Sequence, residues 1–189
     1  MGLGPAVLVT GAAGYVGRLC VAALAERRQE LSAIVALDWA ETPIGERIDG
    51  VSYEQGDICD PGLTDLFRRH GIDTVIHLAS IVRAPKGAPA GLAYRVDVLG
   101  TKNVLDACEA VGAKRLIVTS SGAAYGYHPD NPDWLDEDDP LRGNDEFEYS
   151  KHKRIVEEML AEWRQSHPEL RQIAFRPGTI VGEDVHSPV

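Results

Sequence analysis

The stretch VTGAAGYVGR, residues 9–18, decides the fold class of this 189-residue chain. It sets Gly11, Gly14 and Gly17 three apart, after the apolar run AVLVT and at the head of YVGRLCVAALAERR, which has helical period. A glycine triplet alone is weak evidence. At a strand-to-helix turn it acquires a mechanism. Backbone free of side chains lets a pyrophosphate approach a helix N-terminus, where unpaired N–H groups and the dipole favour an anion.

Working outward, short apolar runs alternate with amphipathic stretches along the whole chain. SAIVALD, SYEQGD, DTVIHLAS, KRLIVTSS and RQIAFRPG read as five further strands. PGLTDLFRRHG, GLAYRVDVLGTKNVLDACEAVG and EFEYSKHKRIVEEMLAEWRQS read as helices, with Gly71 placed to cap the first of these three. The strands are continuous apolar runs, as a parallel sheet covered on both faces requires. The pattern predicts an α/β, Rossmann-type doubly wound parallel sheet with helices on both faces, with residues 1–189 as one dinucleotide-binding domain.

Composition narrows the function classes. A formal net charge of −10 argues against a nucleic-acid partner. The acidic stretch DNPDWLDEDDP reads as a solvated loop. No apolar run is long enough to span a bilayer, and MGLGPAVLVTG lacks the pattern of a signal peptide. Cys20, Cys59 and Cys108 are odd in number and without zinc spacing, so reduced thiols, a cytoplasmic setting and no metal are expected.

Asp38 ends the second strand, where a carboxylate can accept hydrogen bonds from both hydroxyls of an adenosine ribose. A 2′-phosphate would be repelled there, and no cation follows Asp38 directly, which favours NAD over NADP. Arg18 and Arg47 are the cations that could weaken that preference. The plainer reading of Asp38 is a turn residue.

With these residues in view, the chain resembles the extended short-chain dehydrogenase/reductase family, which contains nucleotide-sugar epimerases and dehydratases. The resemblance rests on six ordered segments: TGAAGYVG, GDICD, HLAS, VTSSGAAYG, YSKHK and RPGTIVG. It implies that Gly11, Gly14, Tyr15, Val16 and Gly17 flank the phosphates of NAD and that Asp57 and Ile58 contact the adenine. It further implies that Leu78, Ala79, Ser80, Thr119 and Pro177 line the rest of the cofactor. Ser121, Tyr149 and Lys153 are implied as the catalytic residues, with Ser120 and Thr119 as neighbours of the serine position. Members of the family commonly continue with a small substrate-binding region, which this chain is expected to lack or to carry truncated. They often dimerise through two long helices, here near residues 90–112 and 146–165.

The residue chemistry agrees with the resemblance. Tyr149 and Lys153 are four apart and share a helix face, whereas Lys151, His152 and Arg154 read as ordinary helix residues. A phenol is a poor base near neutral pH, and the Lys153 ammonium together with the nicotinamide is expected to lower its pKa. Tyr149 could then take a hydroxyl proton while hydride leaves the same carbon, with Lys153 also binding the nicotinamide ribose. His77 reads as a structural histidine.

Two departures from the family pattern stand out. Gly122 and Ala123 occupy the positions of the Asp–Glu pair that dehydratases use to eliminate water, so that chemistry is not expected. Asp97 occupies a position where asparagine is usual, replacing an amide that donates and accepts by a carboxylate that only accepts. Asn103 matches a different asparagine of the same segment. The reading is an NAD-dependent oxidoreductase or epimerase acting on a small-molecule secondary alcohol or ketone, with a nucleotide sugar as the leading substrate. The alternatives are a steroid or small-alcohol dehydrogenase, and a catalytically silent NAD-binding module.

Overall fold

The computed structural model describes residues 4–183 and 185. Six strands form one parallel sheet: β1 (Ala6–Thr10), β2 (Ala33–Asp38), β3 (Ser52–Gln55), β4 (Thr74–His77), β5 (Arg115–Thr119) and β6 (Arg171–Phe175). Their order is β3-β2-β1-β4-β5-β6. The chain therefore winds outward from β1 to β3, then crosses back to β4 and winds the other way. That reversal opens a crevice beyond the carboxyl ends of β1 and β4, where doubly wound folds bind ligands.

The apolar runs lie where their composition requires. Leu8, Val9, Val35, Val75 and Leu116 are fully enclosed in the sheet centre. Helices α1 (Tyr15–Glu26), α2 (Leu63–His70), α3 (Leu92–Tyr94), α4 (Thr101–Val111) and α5 (Glu148–Ser166) cover the faces. Phe67, Val104, Leu105 and Leu160 carry the core into the helix layer. Gly71 ends α2 at φ 60°, the left-handed cap expected of it. On the edge strand β6, Ile173 and Phe175 remain exposed.

One helix departs from the expected regular winding. Residues 92–111 run continuously, but Arg95–Gly100 between α3 and α4 is π-wound. A wider turn of this kind shifts side chains relative to an α-helical face and recurs at functional sites. It places Asp97 and Val98 in the interior, and it lets Gly100 approach the 57–60 turn. A Cβ at Gly100 would lie 2.5 Å from Ile58 Cδ1, so a larger residue here would force the Ile58 side chain to move.

Candidate active site

The glycine turn is shaped by close backbone contact. Gly11 has φ +70°, and a Cβ there would lie 2.7 Å from the Ala79 nitrogen at the end of β4. A Cβ on Gly17 would lie 2.1 Å from the Gly11 oxygen, which seats α1 tightly on β1. At Gly14 the corresponding contact is milder, 3.2 Å to the Gly11 oxygen, and this glycine is exposed at the N-cap. No side chain caps α1 and no acid lies in its first turn. The first-turn N–H groups of Tyr15, Val16 and Gly17 thus lack an intrahelical acceptor and suit an anion.

Asp38 is held against this turn. Its Oδ2 accepts from the Ala13 N–H at 2.9 Å, and its Oδ1 accepts from Ala40 N–H at 3.0 Å. The carboxylate therefore does serve a turn, yet each oxygen keeps a lone pair for a ribose hydroxyl. Arg47 is committed elsewhere: Nε donates to the Thr42 carbonyl at 2.9 Å and Nη2 pairs with Glu41 at 3.3 Å. Arg18 lines a small cavity with Ala12, Glu46 and Tyr53.

Asp57 sits in the turn after β3. It accepts from the Cys59 N–H at 2.8 Å and pairs with Arg95, while Ile58 is buried against Gly100. Asn103 clamps the same turn, donating to the Ile58 and Asp60 carbonyls. Leu78 and Ala79 leave β4 with both N–H groups directed to Thr10 Oγ1, at 3.2 and 3.3 Å. The Ser80 hydroxyl that follows is buried without a partner among the described residues, a polar atom suited to a polar ligand. These features fit a dinucleotide laid from Asp38 across the glycine turn toward β4 and β5.

His77 is structural, as expected. Its Nδ1 meets Thr10 Oγ1 at 2.7 Å, and its Nε2 meets Thr101 Oγ1 at 2.9 Å. Burial first, then the Lys153 charge, pushes its pKa down to about 3, so it is a neutral link. Thr101 passes the chain on by donating to the Asp97 carbonyl.

The catalytic candidates converge beyond β5. Tyr149 opens the first turn of α5, and Lys153, one turn on, is 5% exposed with Nζ 3.2 Å from the Thr119 carbonyl oxygen. That ammonium lies 5.4 Å from the centroid of the Tyr149 ring. Ser121 heads the short helix Gly122–Tyr125, its Oγ accepting from Ala123 N–H at 3.1 Å. Ser120 points the other way and donates to buried Glu157 at 2.5 Å, which leaves Ser121 as the serine beside Tyr149. Ser150 ties the helix down by donating to the Ala123 carbonyl at 2.6 Å. Pro177 completes the wall, its carbonyl accepting from Gly122 N–H at 3.0 Å. A cleft of about 280 Å³ opens beside Tyr149, lined by Ile81, Val82, Arg83, Ala93, Phe147 and Glu148.

Two expectations are corrected here. Among the chain's own residues the Lys153 charge does not lower the Tyr149 pKa: burial raises it, Ser121 opposes this, and Asp97 adds to it. Lys153 is itself pushed down by burial, with Asp97 and Glu157 pulling it back up. His152 is also not an ordinary helix residue. It is 5% exposed, packs edge-on against Tyr94 with ring centroids 5.5 Å apart, and turns Nδ1 toward Asp97 Oδ2 at 3.7 Å. Lys151 and Arg154 do lie outside, paired with Asp145 and Glu158.

Sequence reading also missed Arg176, of the RPG segment. It forks onto Glu157 at 2.7–3.0 Å and donates to the Tyr125 hydroxyl at 2.7 Å. This pair fixes the chain leaving β6 to the middle of α5.

Comparison with known proteins agrees with the geometry. The model of the NAD dependent epimerase/dehydratase family matches residues 7–188. The N-acetyl-α-D-glucosaminyl-diphospho-ditrans,octacis-undecaprenol 4-epimerase of Escherichia coli O157:H7 is 37% identical over 179 residues, covering 94% of this chain and 49% of that protein. The UDP-glucose 4-epimerase of Halalkalibacterium halodurans is 32% identical, over 97% of this chain and 55% of that protein. The crystal structure of the Thermus thermophilus UDP-glucose 4-epimerase complexed with NAD superposes with a TM-score of 0.74 at 30% identity, over 90% of this chain and 54% of that one. The chain thus spans about half the length of the relatives it matches.

Proposed function

The chain belongs to the NAD-dependent epimerase/dehydratase family, and we propose that it carries the cofactor-binding and acid–base half of a nucleotide-sugar epimerase. The observation that carries this reading is the convergence of Tyr149, Lys153 and Ser121 beyond β5, beside the crevice that the glycine turn and Asp38 open. NAD bound there supplies an acceptor for hydride from a carbinol carbon and a donor for its return. Gly11, Gly14, Tyr15, Val16 and Gly17 hold the pyrophosphate and Asp38 the ribose. Asp57, Ile58, Leu78, Ala79, Ser80, Thr119 and Pro177 line the remainder.

Tyr149 takes the hydroxyl proton as the carbonyl forms and returns it as the alcohol is restored. Its raised pKa means the residues of this chain alone leave the phenol protonated near neutral pH. A cationic ring beside it favours the tyrosinate, which couples cofactor binding to the base. Lys153 orients the nicotinamide ribose. Ser121 hydrogen-bonds the reacting oxygen. With Gly122 and Ala123 following it, no side chain is in place to expel water by the dehydratase route.

The substrate class follows the relatives, which are 4-epimerases of UDP-glucose and of a diphospho-linked N-acetylglucosamine. A cytoplasmic setting suits the three free thiols, and no helix among the described residues is long and apolar enough to cross a membrane. A homodimer through α3–α4 and α5 would cover the exposed Tyr94 and Leu99. The test of function is to incubate the chain with NAD and a panel of UDP-sugars and read inversion at the sugar carbons by proton NMR. Any epimerised product supports the proposal. A chain that binds NAD yet converts no sugar and reduces no NAD with any alcohol is the silent module instead.

A further inference from the structure

Among the buried polar atoms, two without hydrogen-bond partners face each other: Asp97 Oδ2 and His152 Nδ1, 3.7 Å apart. Asp97 is 2% exposed and its other oxygen already accepts from the Ile81 N–H at 2.9 Å. A buried carboxylate with one oxygen unmet is costly. The group that can meet it is the imidazole, and an approach of about half an ångström or more makes the bond. Tyr94 stacks edge-on against the ring from α3 and limits its freedom to turn elsewhere.

The pair stands beside the proposed acid–base machinery. His152 is three residues after Tyr149 and adjacent to Lys153 on α5, while Asp97 comes from the π-wound turn packed against that helix. The groups facing this region are few. Asp97 and Tyr94 come from the helix of residues 92–111. Tyr149, Lys153 and Glu157 lie on α5, with Glu157 neutralised by Arg176. Ser121 and the Thr119 carbonyl come from the end of β5, His77 from β4, and Tyr127 from the loop before α5. Arg83 and Glu148 line the open side of the cleft beside Tyr149, and Asp97 is the buried acid of this region that makes no ion pair with an arginine or lysine among the described residues.

We propose that Asp97 and His152 act as one hydrogen-bonded couple, the His152 Nδ1–H donating to Asp97 Oδ2, that masks the carboxylate from Tyr149 and makes His152 a positioning residue of the acid–base site. Unmasked, the Asp97 charge holds the proton on Tyr149. Bonded to the imidazole it does so less, and the phenol releases its proton more readily. Proton release is thereby tied to a hydrogen bond between residues that do not touch the substrate. The proposal rests on Tyr149 being the acid–base residue of the proposed function, but its test needs no turnover.

Tyrosine is replaced throughout the chain by a fluorinated tyrosine that ionises near neutral pH, and the Tyr149 resonance is assigned by its loss in Tyr149→Phe. Fluorine NMR then follows its titration. Asp97→Asn, which keeps the acceptor for Ile81 N–H, should lower the midpoint by on the order of half a pH unit. His152→Phe, which keeps the ring but cannot bond Asp97, should raise it, and His152→Gln should restore it toward the wild-type value. In the Asp97→Asn background, His152→Phe should add nothing. An unchanged midpoint in His152→Phe, or equal shifts by His152→Phe with and without Asp97, overturns the couple. Loss of sugar conversion with these shifts intact would overturn the proposed function and leave the couple standing.

Discussion

The Lys153 ammonium sits 5.4 Å from the centroid of the Tyr149 ring, enclosed to 5% exposure and held by the Thr119 carbonyl. A lysine so placed is a cost to the fold, because burial lowers its pKa and its carboxylate neighbours only partly offset this. Replacing it by a neutral chain of similar length removes that cost. Lys153→Met should therefore raise the stability of the cofactor-free chain by ~1 kcal/mol while weakening NAD binding. Thermal melts with and without NAD check it. A less stable variant would show that the ammonium is a net support.

The three glycines of the first turn should separate by role. Gly17→Ala drives a Cβ to 2.1 Å from the Gly11 oxygen, so it should cost about 1–3 kcal/mol of stability. Gly14→Ala meets only a 3.2 Å contact and should fold nearly as well, yet bind NAD more weakly because the methyl occupies phosphate space. Urea unfolding and calorimetric titration read the two effects. Equal stability losses in both variants would refute the division.

Arg176→Leu leaves the Glu157 carboxylate, 6% exposed, with Ser120 as its remaining partner. Breaking a buried pair in this way should destabilise the chain by about 3–5 kcal/mol. The double change to Arg176→Leu and Glu157→Leu should recover part of the loss. A loss under 1 kcal/mol in the single variant, on the order of a surface pair, would contradict the bracing role.

His77 should make stability depend on acidity. Its pKa falls from an ordinary 6.5 to about 3 on folding, so between those values the unfolded chain binds more protons. Stability from this group is complete above pH 6.5 and is lost as pH falls toward 3, by up to about 1.4 kcal/mol per unit. His77→Gln, which can still bridge Thr10 and Thr101, should flatten that slope. Identical pH dependence in both proteins would mean the histidine is protonated when folded.

Much of this was legible along the chain because its signals are local. Most strands announced themselves as apolar runs and the long helices by period; Gly11–Gly17 and the Tyr149–Lys153 pair lie at spacings that local backbone fixes, and Asp38 was marked by the end of its strand. The resemblance already pointed to Ser121, but what ties Ser120 down could not be read there, because Glu157 lies thirty-seven residues from it in the chain. The Asp97 departure was visible, but its partner was not. His152 meets it across two helices, and the π-wound turn that aims Asp97 inward has no period in the sequence. The rise in the Tyr149 pKa was equally hidden, since burial is a property of the assembled site.

If Tyr149 moves the proton while other residues hold the cofactor, Tyr149→Phe should separate binding from conversion. NAD affinity and sugar conversion are measured on the same preparations of wild type and variant. NAD affinity is expected within about twofold of wild type, with conversion reduced by at least about 10²-fold. Conversion near the wild-type rate in the variant would contradict it.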